Sequence, residues 1–230
     1  MSVRLVLPVN PFVHSYLFLR RAIGLIGMAL PVVLIAGVYA ISGDLLTSIS
    51  GYYYSDLRNV FVGSMCAIGV FLICYRGLDP LEDALSWVAG AAALGVAVFP
   101  TRPADSPTAL DKAFGYVHLA SAAVFFLTLA AFCLFLFPRN EKDPLPDPAR
   151  KRVRNRVYLA CGVAILACMV LTAVFGWLLE AQMRSARPVL WLEAIAVFAF
   201  GVSWLVKGQT LWRDAKRPQP RAMDAMAAPA

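Results

Sequence analysis

Apolar positions in this chain come in unbroken runs, not at the spacing of an amphipathic face. Six runs stand out, at residues 22–42, 57–75, 84–99, 113–137, 157–180 and 189–206. A continuous apolar stretch of about 18 residues or more reads as a transmembrane helix, whereas a barrel strand needs only about 10. The pattern predicts an all-α, polytopic membrane protein, a six-transmembrane-helix bundle occupying residues 22–207. The third run is short because Pro100 ends it, and it is expected to recruit Leu81 to Asp83 as an interfacial turn. Pro31 is a kink candidate within the first run.

The polar residues between the runs set an expected orientation. Most of the 21 lysines and arginines fall on one side: the N-terminal segment, the turn at Arg76, the stretch from Arg139 to Arg156, and the tail after Lys207. Loops rich in Lys and Arg stay in the cytoplasm, so both chain ends are expected inside, and an even helix count agrees. Residues 1–21 then form a cytoplasmic or interfacial segment, with Phe12 to Arg21 lying along the inner surface. Its length ahead of a full-span run, with no small-residue cleavage site following, argues against a removable leader. Residues 208–230 read as a disordered cytoplasmic tail.

Composition narrows the class further. The 230 residues are 60% hydrophobic and 15% charged, with a mean hydropathy of +0.68; soluble domains carry roughly 25% charged residues. The net charge of +7 includes the run "ARKRVRNR" at 149–156. This reads as a topology determinant; nucleic-acid binding is not expected, because neither aromatic platforms nor a folded basic module accompany it. All five cysteines lie inside apolar runs with no CxxC pair, which leaves no disulfide framework and no thiolate metal site. Two histidines, His14 and His118, on opposite sides of the membrane are too few for zinc hydrolysis and wrongly placed for heme. Neither metal nor cofactor is expected, and no GxSxG, P-loop or GxGxxG motif occurs.

Small residues four apart mark packing seams between membrane helices. Ala89 with Ala93, Ala91 with Gly95 and Ala93 with Ala97 make the third run the expected central helix, with Gly63 and Ala67 offering a seam on the second. Ionisable residues inside the runs are rarer, and they point to a bundle interior or a wet cavity. Glu193 and His118 each lie about five residues below the outward end of their runs, a depth of roughly 7 Å. The first outward loop, "SGYYYSDLRN" at 50–59, belongs to the same layer. Ser50, Tyr52, Tyr53, Tyr54, Asp56, Arg58 and Arg102 are therefore the candidate ligand-binding residues of an outward pocket, with His118 and Glu193 as its candidate acid–base pair. The structural alternative is that tyrosines gather at interfaces and Glu193 pairs with Arg58 or His118 only to satisfy its burial. A stripe of Glu193, Phe200 and Lys207 runs along the last helix, but alanine and phenylalanine at its middle speak against a transport path.

The stretches "SGYYYSDLRNVFVG", "AGAAALGVAVFPT", "HLASAAVFFLTLA" and "WLEAIAVFAFGVSWLVKG" resemble an uncharacterised family of bacterial six-helix membrane proteins, over most of the chain from Ser48 to Gly208. The layout is also similar to that of the six-helix autophagy-modulator membrane proteins. The resemblance implies six helices in a bacterial inner membrane, and no activity. The expected function is an inner-membrane, multi-pass protein with a polar outward pocket for a lipid or other amphiphile, with an enzymatic role left open. The alternatives are a metal-free lipid hydrolase or transferase using His118 and Glu193, or a scaffold without a small ligand. Membrane lipids are the expected partners, and self-association is left open.

Overall fold

The computed structural model describes residues 11–77, 79–139, 148–177 and 185–210. Among them every regular element is helical: α1 (Pro11–Ser42), α2 (Arg58–Cys74), α3 (Pro80–Val98), α4 (Ala109–Ala131), α5 (Pro148–Trp177) and α6 (Pro188–Lys207). A single 3₁₀ turn, Ser50–Tyr54, lies between α1 and α2, and α4 continues into a π-helical segment, Phe132–Leu136. Five helices are long and apolar enough to cross a membrane, which makes this a multi-pass membrane protein. The exception is α2, whose 17 residues span about 26 Å against a hydrocarbon thickness of roughly 30 Å.

Each helix packs chiefly against its neighbours in sequence, and α6 returns to α1, so the bundle is a ring. Contacts at both ends show that α1 and α6 run antiparallel. At one end, here the terminal end, Arg20 Nη1 donates to the Lys207 carbonyl at 3.3 Å and Arg21 Nε to the Gly208 carbonyl at 2.9 Å. At the opposite, distal end, Arg187 Nη2 donates to Asp44 Oδ1 at 2.6 Å. Side chains outside the ring, such as Leu25, Val70, Leu127, Phe135 and Val163, stay apolar and exposed, as contact with lipid tails requires.

Two glycine seams bring helices together. A Cβ on Gly90 would lie 2.7 Å from the Gly69 carbonyl oxygen, and one on Gly69 would lie 3.0 Å from that of Gly90. The same reciprocity joins α1 to α6, where a Cβ on either Gly24 or Gly201 would meet the other's carbonyl oxygen at 2.8 Å. Absent side chains let the backbones approach, the usual device between membrane helices. Gly63, expected to mark the α2 seam, has nothing within 4 Å of its would-be Cβ; the seam lies at Gly69, on another face of the helix. Nor is α3 central. Its buried Ala89, Ala93 and Ala97 serve packing against α2 and α4 within the ring.

Local signals explain the boundaries. Asp79 caps α3 by accepting from the Glu82 N–H at 2.9 Å, with Pro80 in the first turn. The helix thus starts ahead of the expected interfacial turn and absorbs it. Thr108 and Asp111 form a capping box on α4. Gly43, at φ 70°, takes the left-handed conformation that ends α1. Two starts differ from expectation. α1 begins at Pro11, so Phe12 to Arg21 belong to the same helix as the first apolar run. α5 begins at Pro148 and carries the basic segment as its first turns.

The terminal half of the ring is filled. Trp204 stands between Phe132, Phe137, Phe200 and Tyr75, with ring centroids 5.8, 5.4, 6.2 and 5.1 Å away. The π segment makes this possible, since its Phe137 N–H to Phe132 carbonyl bond of 2.8 Å sets both rings on the face turned to Trp204. Below lies a buried polar chain. Arg20 donates to the hydroxyls of Tyr16 and Tyr75, the latter at 3.1 Å, and Tyr75 donates to Glu82 Oε1 at 2.6 Å.

Candidate functional site

The distal half of the ring encloses a cavity of about 720 Å³. Every helix contributes to its wall: Leu30 from α1, Met65 from α2, Val96 from α3, Phe125 from α4, Met169 from α5 and Val197 from α6. Its floor is the top of the aromatic plug, because Phe125 stacks edge-on against Phe200 at 5.8 Å. At the terminal end α4 and α5 close tightly, where a Cβ on Gly162 would lie 2.6 Å from Leu134. In the distal half the same two helices turn Leu119 and Ala122, and Thr172 and Ala173, to the cavity instead.

Polar groups gather at the rim. Glu193, in the second turn of α6, lines the cavity, and its Oε2 accepts the Ser50 N–H at 3.1 Å. The carboxylate thereby holds the 3₁₀ turn over the ring. A second hold comes from Ser48, whose Oγ accepts the Gly51 N–H at 2.9 Å. His118 also lines the cavity, one turn beyond Gly115 on α4. Its Nδ1 lies 2.7 Å from the Phe99 carbonyl; a carbonyl only accepts, so Nδ1 carries the proton. His118 thus ties α4 to the carbonyl that ends α3.

Two cations stand at the mouth, Arg102 and Lys112. Gly115 seats the first: a Cβ there would lie 3.0 Å from Arg102 Cβ and 3.2 Å from its backbone N, so the 101–103 segment lies close against α4. Lys112 is one turn before Gly115 on the same helix. Neither cation has an acidic side chain at ion-pair distance among the described residues, and Glu193 has no basic one.

Of the residues expected from the sequence, Ser50, Arg102, His118 and Glu193 meet in this cavity. The rest of "SGYYYSDLRN" builds the cap above it. Tyr52 is fully buried in the cap, which raises its phenol above the ordinary value. Tyr53 lies under the Arg58 guanidinium, 4.1 Å from ring centroid to Cζ, and accepts a hydrogen bond from it. Tyr54 donates to the Thr101 carbonyl at 2.7 Å, pinning the cap to the segment that carries Arg102. Asp56 is exposed and lines nothing.

Glu193 pairs with neither Arg58 nor His118; no bond joins His118 to Glu193 among the described residues. The sequence reading missed Ser48, Lys112, Tyr116 and Thr172 as lining residues. Lys112 reads as a helix-end charge, and nothing in its neighbours marks it otherwise. The side chain of His14 lies outside the described residues. Among the described residues no group of three or more His, Cys, Asp or Glu could hold a metal ion. No protein family, curated protein or solved structure matches this chain.

Proposed function

We propose that this protein binds a lipid or other amphiphile in the distal cavity, as a six-span inner-membrane protein with both ends in the cytoplasm. One observation carries the reading: the cavity is apolar on all six helices and polar only at its rim. That gradient matches a molecule with a tail and a head. The orientation rests on the basic residues at the terminal end, from Arg20 and Arg21 to the start of α5. The sixth span requires α2 to cross together with its neighbours, and the seam to α3 supplies the partner. The bacterial setting rests on the family resemblance.

Native mass spectrometry with lipid extraction tests the binding. The wild-type chain is expected to retain about one amphiphile, and Ala122→Trp, which fills the cavity from α4, to lose it while staying folded. Equal retention by both places the lipid on the outer belt and ends the reading. Thiol labelling of cysteines introduced near each chain end, with an impermeant reagent on intact cells, checks the orientation; labelling at either end contradicts it.

A second reading, a metal-free hydrolase or transferase, has one observation in its favour: His118 and Glu193 open onto the same cavity. With no bond between them, a water or the ligand would have to bridge the two. Turnover of the retained lipid, abolished by His118→Ala in a folded chain, would establish it; a lipid recovered unchanged after prolonged incubation rules it out.

A further inference from the structure

The cavity holds unmatched charges of both signs. Glu193 lines a membrane-embedded hollow, and it accepts hydrogen bonds from the Ser50 and Ile49 N–H groups and from the Ser50 hydroxyl. Arg102 and Lys112 face the same hollow from the opposite side of the mouth, on the α3–α4 connection and the first turns of α4. Groups that served only to neutralise one another would be in contact, yet among the described residues no ion pair links Glu193 to either cation. Arg102 and Lys112 are exposed at the mouth and Glu193 is half-buried, so it is the acid, drawn partly from water without a counter-charge, that carries the cost, and more so in a lipid-surrounded site. The arrangement is a dipole waiting for its reverse.

We infer that the amphiphile's head carries both charges, an anionic group set against Arg102 and Lys112 and an ammonium set against Glu193. The inference rests on the amphiphile reading above and names its head. A carboxylate has about four lone-pair positions; with the Ser50 N–H, the Ile49 N–H and the Ser50 hydroxyl occupying three, an acceptor position remains for an ammonium. An arginine–phosphate contact is the strong, forked kind, and Lys112 adds a point charge beside it. A purely anionic head would satisfy the cations and leave the carboxylate facing a like charge. The apolar wall supplies the tail site, so a zwitterion without a tail is the weaker ligand.

The test uses the full-length chain, delipidated in detergent and exchanged against phosphatidylethanolamine, phosphatidylglycerol or phosphatidic acid with identical acyl chains. Native mass spectrometry then reads retention, and Ala122→Trp serves as the baseline for belt lipid. Phosphatidylethanolamine is expected to be retained about tenfold better than phosphatidylglycerol. Glu193→Gln, which keeps an acceptor for the Ser50 N–H, is expected to remove that preference. Arg102→Ala with Lys112→Ala is expected to lower retention of both lipids. Free O-phosphoethanolamine is expected not to displace the lipid; displacement at low concentration would keep the zwitterion but make the tail unnecessary. Equal or better retention of phosphatidylglycerol overturns the inference and leaves the amphiphile reading standing. Retention of no lipid above the baseline overturns both. If Glu193→Gln fails to fold, the wild-type ratio together with the cation variant decides.

Discussion

Tyr75 shows how much one hydroxyl can hold. Its oxygen accepts from Arg20 at 3.1 Å and donates to Glu82 at 2.6 Å, joining α1 to α3 beneath the aromatic plug. Removing that atom leaves charged groups short of a buried partner, which costs about 1–3 kcal/mol. Tyr75→Phe is therefore expected to lower the unfolding midpoint in detergent by several degrees while leaving distal lipid retention unchanged. A midpoint equal to wild type would show the network to be slack. Residues at this scale were legible unevenly. Glu193 and His118 announced themselves as charges inside apolar runs, whereas Arg20 and Glu82 sit at run edges, where a charge reads as topology. Their burial follows from helices continuing past the apolar run, and hydropathy cannot see that.

At the scale of the helix, glycine is decisive only where another backbone faces it. Gly90→Ala would push a methyl to 2.7 Å from the Gly69 carbonyl oxygen and 2.6 Å from Ile73. Both lie in a seam further tied by the Ser86 hydroxyl, which donates to the Leu72 carbonyl at 2.7 Å. Overpacking of this kind costs about 1–3 kcal/mol. Gly63→Ala meets open space and gains helix propensity, up to about 1 kcal/mol. Thermal melts of the two variants should move in opposite directions; a shared direction would place the seam elsewhere. Helix number followed from the runs, because each is long enough to be read. Azimuth did not: the small-xxx-small spacing picked Gly63 with Ala67 and passed over Gly69, whose neighbours four residues away are Met65 and Ile73. The early start of α5 has a related cause. Lys and Arg are good helix formers, so a basic segment can be helical, and an apolar run marks lipid contact and not helix length.

For the whole molecule, closing the ring matters at both ends. At the distal end the Arg187 guanidinium beside Asp44 holds that carboxyl below its ordinary value, with the Leu45 N–H helping. A depressed folded value means the pair contributes above the ordinary carboxylate range, about pH 4, and its contribution is lost as pH falls through the lower folded value. Asp44 is exposed, so the effect is small and screened by salt. Wild type is expected to melt slightly above Asp44→Asn at pH 7 in low salt, with the gap closing toward pH 3; a gap that persists in acid would assign the difference to something other than charge. The cavity was only half legible. Matching depths put His118 and Glu193 in one layer, but a hollow arises from how six helices turn toward one axis, and no single run encodes that.

Below that hollow, the rings of Tyr75, Phe132, Phe137, Phe200 and Trp204 occupy the terminal half. In a bilayer the plug and the apolar wall above it act together as an insulator, so the transmembrane voltage falls across both, while the polar rim stands at the edge of that field. A charged head bound at the rim, as proposed, would then move through almost none of the field, and its occupancy would be set by composition on one side of the membrane and be indifferent to voltage.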